Sequence, residues 1–519
     1  MSNIVPIRNL TILKFIGAIL GIFYSIVQVH YFGTSRTIEI FFVAQSSLYI
    51  FSSLSQSNQL AEVFLPIYHK IKLTDGIIAA SKSFSIILNW ILSFLTALLV
   101  LAFFGAPIII PLFIPGFSNE DKLQAIELFR WVIPLIFLQV LSSLWNTALN
   151  AERIFGRLEL SMIINYLLSI VLLAYFFESM GVWILIFSLY LGKIIELIIN
   201  LYVSFKKGIR YYMLFYLEGF DHSAFFKIVY STFYYTGSTQ LLHWAYTASL
   251  SFLPQGFYAI FKYVNILFDR SLGFLVEPIQ TVLFTDISEK NIHNKESQLE
   301  KLMVNISKYS LIFGAGVFVI SILAGREGLN FLWLSSQFTS SDIQYAYILV
   351  IIFYSIFIIQ LFYGIWRKRT IVSGATKELF QKQALAQFVS SFLVFGLIYY
   401  GHFIGLCLAI IINRILLMIV PFIILRDNNI MVWPGKNFIV KLISLILLTI
   451  FSTQFIKYIT YYYYNISSEK LASLISFFVL TLLGSTLFIV IAKFLKLSEL
   501  PEMVNKLYGG FTYDKKFKI

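Results

Sequence analysis

The sequence has little of the material from which catalytic and metal-binding sites are usually built. It contains one cysteine, Cys407, and six histidines among 519 residues. A single cysteine forms no intramolecular disulfide, and metal sites built on Cys pairs are excluded. The histidines show no HExxH or paired spacing, and the sequence has no phosphate-binding glycine loop, kinase signature or nucleophile elbow. It therefore predicts neither an enzyme nor a cofactor.

Charge is also scarce. Charged residues make up 13% of the chain and hydrophobic residues 59%, whereas soluble domains have about 25% and about 45–50%. Runs of about 20 apolar residues recur along the whole chain, and each is long enough to cross about 30 Å of hydrocarbon. The composition predicts an all-α integral membrane protein.

About fourteen runs are expected to form transmembrane helices. They lie near residues 10–32, 39–66, 84–106, 126–149, 160–177, 182–204, 225–250, 257–284, 306–324, 343–365, 380–399, 403–424, 438–457 and 470–494. Gln139 and Trp145 in the fourth run recur as Gln360 and Trp366 in the tenth, which suggests parallel repeats. We therefore expect two six-helix lobes around a central cavity, two extra helices and a basic cytoplasmic tail, at residues 1–210, 222–428, 437–496 and 497–519.

Positively charged residues indicate how the chain is oriented. Lys and Arg concentrate in every second loop and near both termini, whereas the intervening loops hold Arg36, Lys122 and Arg326. Because Lys and Arg favour loops on the cytoplasmic side, both termini are predicted to be cytoplasmic. The net charge of +13 then reflects this bias and attraction to anionic lipid headgroups. Membrane lipids are expected partners, and nucleic acid is not.

Polar residues line one face of the second run. At about 100° per residue, a single stripe contains Gln45, Tyr49, Ser52, Gln56 and Gln59. Facing lipid, these groups would lose water without replacement, at a cost of several kcal/mol. The stripe either forms interhelical hydrogen bonds or lines a hydrated cavity, and the number of residues in register favours the cavity.

The eighth run carries four charged residues, Lys262, Asp269, Arg270 and Glu277. All four fall within about 100° of one helix face, and each costs at least ~2.5 kcal/mol at this depth. Ion pairs with neighbouring helices are one explanation. The functional alternative is a cavity wall in which Lys262 and Arg270 bind an anionic headgroup, while Asp269 or Glu277 titrates or binds a cation.

The seventh run has a similar stripe, which contains Thr232, Thr236, Thr239, His243 and Tyr246. A lone intramembrane histidine is more often a packed residue than a proton carrier. Because they belong to a stripe of polar residues, Thr239 and His243 are candidates for substrate binding.

Stretches of the first half resemble the MurJ/MviN family of lipid II flippases, of the multidrug, oligosaccharidyl-lipid and polysaccharide exporter superfamily. The matching features are YFG followed by Glu39 and FFVA at 41–44, FLP at 64–66, PGF at 115–117 and LNAERIFGR at 149–157. In the second half, the helix count and a short basic loop ending in SGATK fit the family. The resemblance implies two six-helix bundles, a central cavity, two extra C-terminal helices and an alternating-access cycle.

The resemblance also implies arginines in the first, second and eighth helices that bind the pyrophosphate of the lipid carrier. The matching positions here hold Ala18, Tyr24, Ser52, Ser53 and Tyr263. Lys262 and Arg270, which lie on other turns of the eighth run, would partly replace the positive charge of the missing arginines. Glu39 keeps an acidic position of the family and is expected, with Asp269 and Glu277, to take part in ion coupling.

We therefore expect a flippase of the bacterial cytoplasmic membrane whose substrate is a polyprenyl-pyrophosphate-linked saccharide. The saccharide would be an O-antigen, capsule, exopolysaccharide or peptidoglycan precursor, and an envelope polymerase or glycosyltransferase would be a partner. An ion-coupled multidrug exporter of the same superfamily is an alternative, because Asp269, Glu277, Glu39 and the many aromatic residues suit organic cations. A non-transporting scaffold for envelope synthesis is expected instead if the charges of the eighth run are wholly paired internally.

Overall fold

The chain is helical, and no strand occurs among the residues that the computed structural model describes. These residues are 4–54, 57–152, 154, 156–216, 222–276, 296–427, 434–461, 469–497 and 499. The helices are α1 (Ile4–Phe32), α2 (Arg36–Leu54), α3 (Ser57–Phe113), α4 (Asn119–Ala151), α5 (Arg157–Met180), α6 (Trp183–Lys206), α7 (His222–Leu250), α8 (Phe257–Leu275), α9 (Glu296–Trp333), α10 (Ser340–Val372), α11 (Thr376–Asp427), α12 (Lys436–Tyr461) and α13 (Glu469–Phe494). The all-α prediction is confirmed.

The predicted transmembrane runs coincide with these helices as far as the chain is described. The second run covers α2 and the beginning of α3, and residues 277–284 of the eighth lie outside the described residues. Helix α3 is interrupted at Gly76, with φ 83°, a left-handed conformation that glycine adopts without a steric penalty. Helix α11 contains the eleventh and twelfth runs and is interrupted at His402, with φ 49°.

Ten helices of the described chain are long and apolar enough to cross a membrane. Helices α2, α7 and α8 are not among these ten. They are the helices in which the sequence predicts polar stripes.

One compact unit of the chain comprises residues 1–274 and 380–409. Its core contains large side chains that are almost completely buried, among them Phe41, Phe42, Phe84 and Phe129. Phe84 of α3 packs edge-to-face against Trp145 of α4, with 5.1 Å between the ring centroids. This unit contains α2, α7 and most of α8, and so holds the polar stripes.

The second compact unit comprises residues 275–379 and 410–519. Its apolar core includes Leu323 of α9, Trp366 of α10, Leu442 of α12 and Phe488 of α13. The two units are defined by contacts within the chain. The two lobes expected at 1–210 and 222–428 come from the sequence repeat, and they stay a prediction.

A polar cluster joins the beginning of α3 to the end of α4, where Glu152 belongs to the LNAERIFGR motif. The Lys72 ammonium lies 2.6 Å from Glu152 Oε2, and the Tyr68 hydroxyl donates to Glu152 Oε1 at 2.9 Å. Burial raises the pKa of Tyr68, and its hydrogen bond to the Glu152 carboxylate raises it further. Tyr68 is therefore a neutral donor, and Glu152 holds together two segments that are distant in sequence.

The predicted basic tail lies mostly outside the described residues. Within its described part, Leu497 is buried and Lys308 of α9 donates to Glu499 Oε1 at 2.9 Å. Partial burial alone would raise the pKa of Glu499, but the Lys308 hydrogen bond and the charges of Lys308 and Lys441 outweigh it and lower the pKa. The beginning of the tail therefore contacts α9 through the ion pair of Glu499 with Lys308.

Gly116, in the PGF sequence between α3 and α4, packs directly against the end of α7. Its N–H donates to Ser251 Oγ at 2.9 Å, and a Cβ at this position would lie 2.5 Å from the Ser251 carbonyl oxygen. We expect Gly116→Ala to lower the free energy of unfolding by about 1–3 kcal/mol, as overpacking typically does. Thermal unfolding of the purified protein in detergent measures this change.

Gly396→Ala is the matched control. Gly396 lies in α11, and a Cβ there would meet no atom within 4 Å, so the melting temperature should be unchanged or slightly higher. Equal melting temperatures for the Gly116→Ala variant and the wild type would contradict the described contact.

Candidate functional site

The two basic residues of α8 both contact helices from the beginning of the chain. Lys262 is half-buried, and its ammonium donates to Ser46 Oγ of α2 at 2.7 Å. The Ser46 hydroxyl also lies 3.1 Å from the Tyr258 hydroxyl, and it donates to the Phe42 carbonyl at 2.7 Å. The Lys262 ammonium is thus held by a hydroxyl group, which leaves its positive charge unneutralised by that contact.

Arg270, two helical turns further along α8, is held in a similar way. Its guanidinium donates to the Tyr166 hydroxyl of α5 and lies 5.1 Å from the centre of the Tyr166 ring. The ring of Tyr24 in α1 is 5.7 Å from that of Tyr166. Arg270 also packs against Gly21 of α1, where a Cβ would lie 3.0 Å from Arg270 Nε. Backbone and neutral aromatic groups therefore fix the position of this cation.

Glu39 of α2 is fully buried and holds the beginning of α8. Its Oε1 atom accepts hydrogen bonds from the backbone N–H groups of Gly256, Tyr258 and Ala259, at 2.8, 3.1 and 3.3 Å. Its Oε2 atom accepts a hydrogen bond from Arg36 at 2.7 Å. The first N–H groups of a helix lack partners within the helix, and a negative charge at this end is favourable. Glu39 therefore acts as an N-terminal cap supplied by another helix.

The polar stripe of α7 contacts α11. The hydroxyls of Ser238 and Thr239 both donate to Gln387 Oε1, each at 2.8 Å. His243, one turn further along α7, is exposed, and its carbonyl accepts a hydrogen bond from Thr247. Thr239 and His243 are thus on the same helix, but one takes part in an interhelical contact and the other lies at the surface.

The remaining predicted residues of α2 and α8 have different environments. Ser52 is buried and donates to the carbonyl of Tyr49 in its own helix, whereas the Tyr49 side chain is 56% exposed. Gln45 is half-buried. Asp269 is exposed and accepts a hydrogen bond from Asn265 at 2.8 Å.

Three predicted residues cannot be placed in the site. Gln56 and Glu277 lie outside the described residues, and so does the side chain of Gln59.

Sequence patterns alone did not identify the residues that contact the two cations. Ser46 follows Gln45 of the predicted stripe in sequence but lies about 100° away from it around the helix. Tyr166 lies in an apolar run. Ser46 and Lys262 are 216 positions apart, and Tyr166 and Arg270 are 104 apart. In the sequence, Ser46 and Tyr166 are each visible only as a polar residue within an apolar run, and this pattern does not identify the residue that each one contacts.

The arrangement suits the binding of an anion. A guanidinium has five N–H donors and an ammonium three, so one hydroxyl partner each leaves capacity for further acceptors. Both groups make strong hydrogen bonds to phosphate oxygens. Across the described ranges, no group of three or more His, Cys, Asp or Glu residues could hold a metal ion.

Comparisons with known proteins point to one family. The family described as lipid II flippase MurJ matches residues 28–483. A probable lipid II flippase MurJ of Buchnera aphidicola subsp. Acyrthosiphon pisum is 24% identical over 348 residues, which cover 66% of this chain and 68% of the relative. The probable lipid II flippase MurJ of Borreliella burgdorferi is 22% identical over 470 residues, which cover 87% of this chain and 88% of the relative.

Solved structures share the fold. One of lipid II flippase MurJ in an inward closed conformation superposes with a TM-score of 0.77 at 19% identity, covering 95% of this chain and all of the other. An inward-facing multidrug resistance MATE family transporter of the MOP superfamily gives 0.63 at 15% identity, covering 80% of this chain and 94% of the other. Because the family match spans most of the chain, the predicted resemblance is confirmed, and this multi-pass membrane protein belongs to the lipid II flippase MurJ family.

Proposed function

We propose that the protein moves a polyprenyl-pyrophosphate-linked saccharide across the cytoplasmic membrane, and that the saccharide is a peptidoglycan precursor of the lipid II type. The observation that carries the proposal is the pair of cations on α8, Lys262 and Arg270, each held by a hydroxyl group of another helix. A charge within a membrane helix is costly and commonly marks a substrate or ion pathway.

The lipid II type of substrate follows from the family. The names of the matching family and relatives refer to lipid II, and none refers to an O-antigen, capsule or exopolysaccharide. Those saccharides were alternatives because Ala18, Tyr24, Ser52, Ser53 and Tyr263 occupy positions where the resemblance implies arginine. In the present proposal, Lys262 and Arg270 supply the positive charge instead.

The two cations would act in succession during transport. They are eight residues apart on α8, which corresponds to about 12 Å along the helix axis. With the N-terminus in the cytoplasm, α8 runs from the outer to the inner side, so Arg270 is the nearer cation for a headgroup arriving from inside. Lys262 would then receive the phosphates at the next step, while the prenyl chain stays in lipid. Rocking of the two six-helix lobes would expose the headgroup outside.

The polar stripes would contact the sugar part of the headgroup. We assign this role to Gln45, Tyr49 and Ser52 of α2, with Gln56 and Gln59 beyond them, and to Thr239 and His243 of α7. Hydroxyl and amide groups replace the hydrogen bonds that a sugar makes with water. Because these groups are neutral, the charge of the phosphates would be recognised by Lys262 and Arg270 of α8.

Three acidic residues are assigned to ion coupling. Asp269 lies on the same helix as the two cations, and Glu277 follows in the sequence outside the described residues; either would titrate or bind a cation as the headgroup moves. Glu39 caps α8, and neutralising its carboxylate would weaken the cap, because hydrogen bonds to a charged acceptor are the stronger kind. Ion binding at Glu39 would thereby loosen the contact between α2 and α8.

Both other functions considered from the sequence have less support. The similarity to MATE transporters, at 15% identity, concerns the fold alone. A scaffold would require the α8 charges to be wholly paired internally, whereas Lys262 and Arg270 donate to hydroxyl groups. An envelope polymerase or glycosyltransferase stays a proposed partner.

Replacing Arg270 tests the binding role directly. Truncating one partner of a buried charged contact costs about 2–5 kcal/mol, which corresponds to a loss of more than about tenfold. We expect Arg270→Gln to abolish growth rescue in bacteria depleted of their own lipid II flippase, with the protein present in the membrane at the wild-type level. Growth rate and the amount of lipid II accessible from outside are the two readouts.

Arg426→Gln is the matched control for this experiment. The Arg426 side chain is 73% exposed at the end of α11 and pairs with the adjacent Asp427, so its loss should leave growth rescue unchanged. Full rescue by the Arg270→Gln variant would contradict the proposed role of Arg270. Absence of rescue by the wild type would contradict the proposed substrate.

Replacing Glu39 tests the α8 cap. Glu39→Gln keeps the size of the side chain but removes the charge that accepts three N–H groups and Arg36. Since hydrogen bonds to charged groups contribute about 1.5–3 kcal/mol each, we expect a lower melting temperature in detergent and weaker growth rescue. Glu120→Gln, at an exposed residue in the first turn of α4, should change neither. A Glu39→Gln variant that keeps both properties would show that the cap is dispensable.

A further inference from the structure

The chain reverses direction at the end of α6 and then runs along α3 as a short non-helical segment. Gly208 provides the reversal with φ 82°, a left-handed conformation that glycine adopts without a steric penalty. Ile209, the next residue, is fully buried. We call residues 209–216 the strap, because this segment lies against the side of α3.

Two serines of α3 hold the first half of the strap. The Arg210 N–H donates to Ser81 Oγ at 3.4 Å. The Tyr212 N–H donates to Ser85 Oγ at 3.0 Å. Both serines are fully buried, and they share one face of α3 because they are four residues apart.

Asn89 and Trp90 of α3 hold the second half of the strap. The Asn89 side-chain amide donates to the carbonyls of Tyr212 and Leu214, at 3.2 and 2.8 Å. Trp90 Nε1 donates to the Phe215 carbonyl at 3.1 Å, and the two rings lie edge-to-face with 6.0 Å between their centroids. The contacts advance along both segments in the same order, so the strap runs parallel to α3 and away from the end of α6.

The strap therefore reaches the level at which α3 crosses the membrane. Ser81 lies just before the run expected to span it, 84–106, whereas Asn89 lies within that run. From Ser81 to Asn89 is about 12 Å of helix axis, and from Arg210 to Leu214 is about 13 Å of extended chain. An extended backbone lacks internal hydrogen bonds, and hydrocarbon supplies none. The polar stripe of α3 supplies them instead.

Positive charge is concentrated where the strap begins. Lys206, Lys207 and Arg210 are exposed, and within the described chain none of the three side chains forms an ion pair. Lys82 of α3 adds a fourth cation, whose ammonium lies 5.9 Å from the centre of the Tyr212 ring. Two helix ends and the strap thus bring four positive charges to one region of the surface.

Apolar and aromatic side chains are exposed further along the strap. Met213 is 81% exposed, and Phe215 and Tyr216 are exposed as well. They lie beside the part of α3 that is expected to cross the membrane, where side chains of this kind contact lipid. The strap therefore presents cations at the membrane surface and apolar groups below them.

This order matches a phospholipid, whose charged phosphate lies at the membrane surface and whose acyl chains lie beneath it. We propose that the strap and the adjoining parts of α3 and α6 form a binding site for one anionic phospholipid. Its phosphate would be bound by four cations, Lys82, Lys206, Lys207 and Arg210. Its acyl chains would lie against Met213 and Phe215.

Fixed geometry distinguishes this site from the general attraction of basic residues to anionic headgroups. The backbone that carries Arg210 is hydrogen-bonded to α3, and Lys82 belongs to α3 itself. The site lies on α3, α6 and the strap, so it does not depend on which lipid the protein transports.

Lipid binding by the purified full-length protein tests the site. Native mass spectrometry counts the phospholipids retained when phosphatidylglycerol or phosphatidylcholine with the same acyl chains is added. Because each Lys or Arg near the surface attracts anionic lipid, we expect the wild type to retain one phosphatidylglycerol at least about tenfold more tightly than phosphatidylcholine. The triple variant Lys206→Gln/Lys207→Gln/Arg210→Gln should lose this preference.

Arg426→Gln/Lys436→Gln/Lys493→Gln is the matched control. These three cations are exposed near the ends of α11, α12 and α13, and they are predicted to lie at the same membrane surface. Their loss removes the same amount of charge, and this variant should keep the preference. Equal loss of preference in both triple variants would show general surface attraction and overturn the proposal. A wild type without any preference for phosphatidylglycerol would also overturn it.

Photo-crosslinking covers the case in which the triple variant does not fold. A photoreactive amino acid replaces Met213 or, as a control, Tyr175 of α5, which is 80% exposed. In vesicles with equal amounts of the two lipids, position 213 should capture phosphatidylglycerol at least about tenfold more often than phosphatidylcholine. Position 175 should capture both lipids equally. Equal capture of the two lipids at position 213 would overturn the proposal.

Discussion

Hydrocarbon offers no hydrogen bonds, so every polar group in the membrane part of this chain must find its partner in protein or water. This constraint explains the contacts of α8. Lys262 and Arg270 reach hydroxyl groups of α2 and α5, and the first N–H groups of the helix reach the carboxylate of Glu39. The polar helix is thus held at several levels by helices from the beginning of the chain. The same contacts keep its two positive charges in place without neutralising them.

The fold could largely be predicted from the sequence, because a membrane helix is specified by local length and hydropathy. The polar stripes of α2, α7 and α8 could be predicted too, because helical periodicity is also a local property of the sequence. The interruptions at Gly76 and His402 fall in the gaps between predicted runs, at residues 67–83 and 400–402, so their places could be predicted as well. The positive φ of His402 could not be predicted, because such a conformation is uncommon for a residue other than glycine.

The site could be predicted only in part. Helical periodicity identified Lys262 and Arg270 as charged positions on one face of α8, but it gives no information on which helix lies opposite. Ser46 and Tyr166 are ordinary residues in sequence, and their role arises from packing over separations of 216 and 104 positions. Glu39 was identified as an acidic position of the family. Its function as a cap for another helix became visible only from its three backbone contacts.

Transport by the purified protein in proteoliposomes measures the proposed function directly. Two fluorescent carriers of the same prenyl length are compared, lipid II and an undecaprenyl-pyrophosphate-linked O-antigen unit. We expect the wild type to move lipid II and Arg270→Gln to move it at least about tenfold more slowly. Movement of the O-antigen carrier alone would contradict the proposed substrate. Movement of neither carrier by folded protein would contradict the proposed function itself.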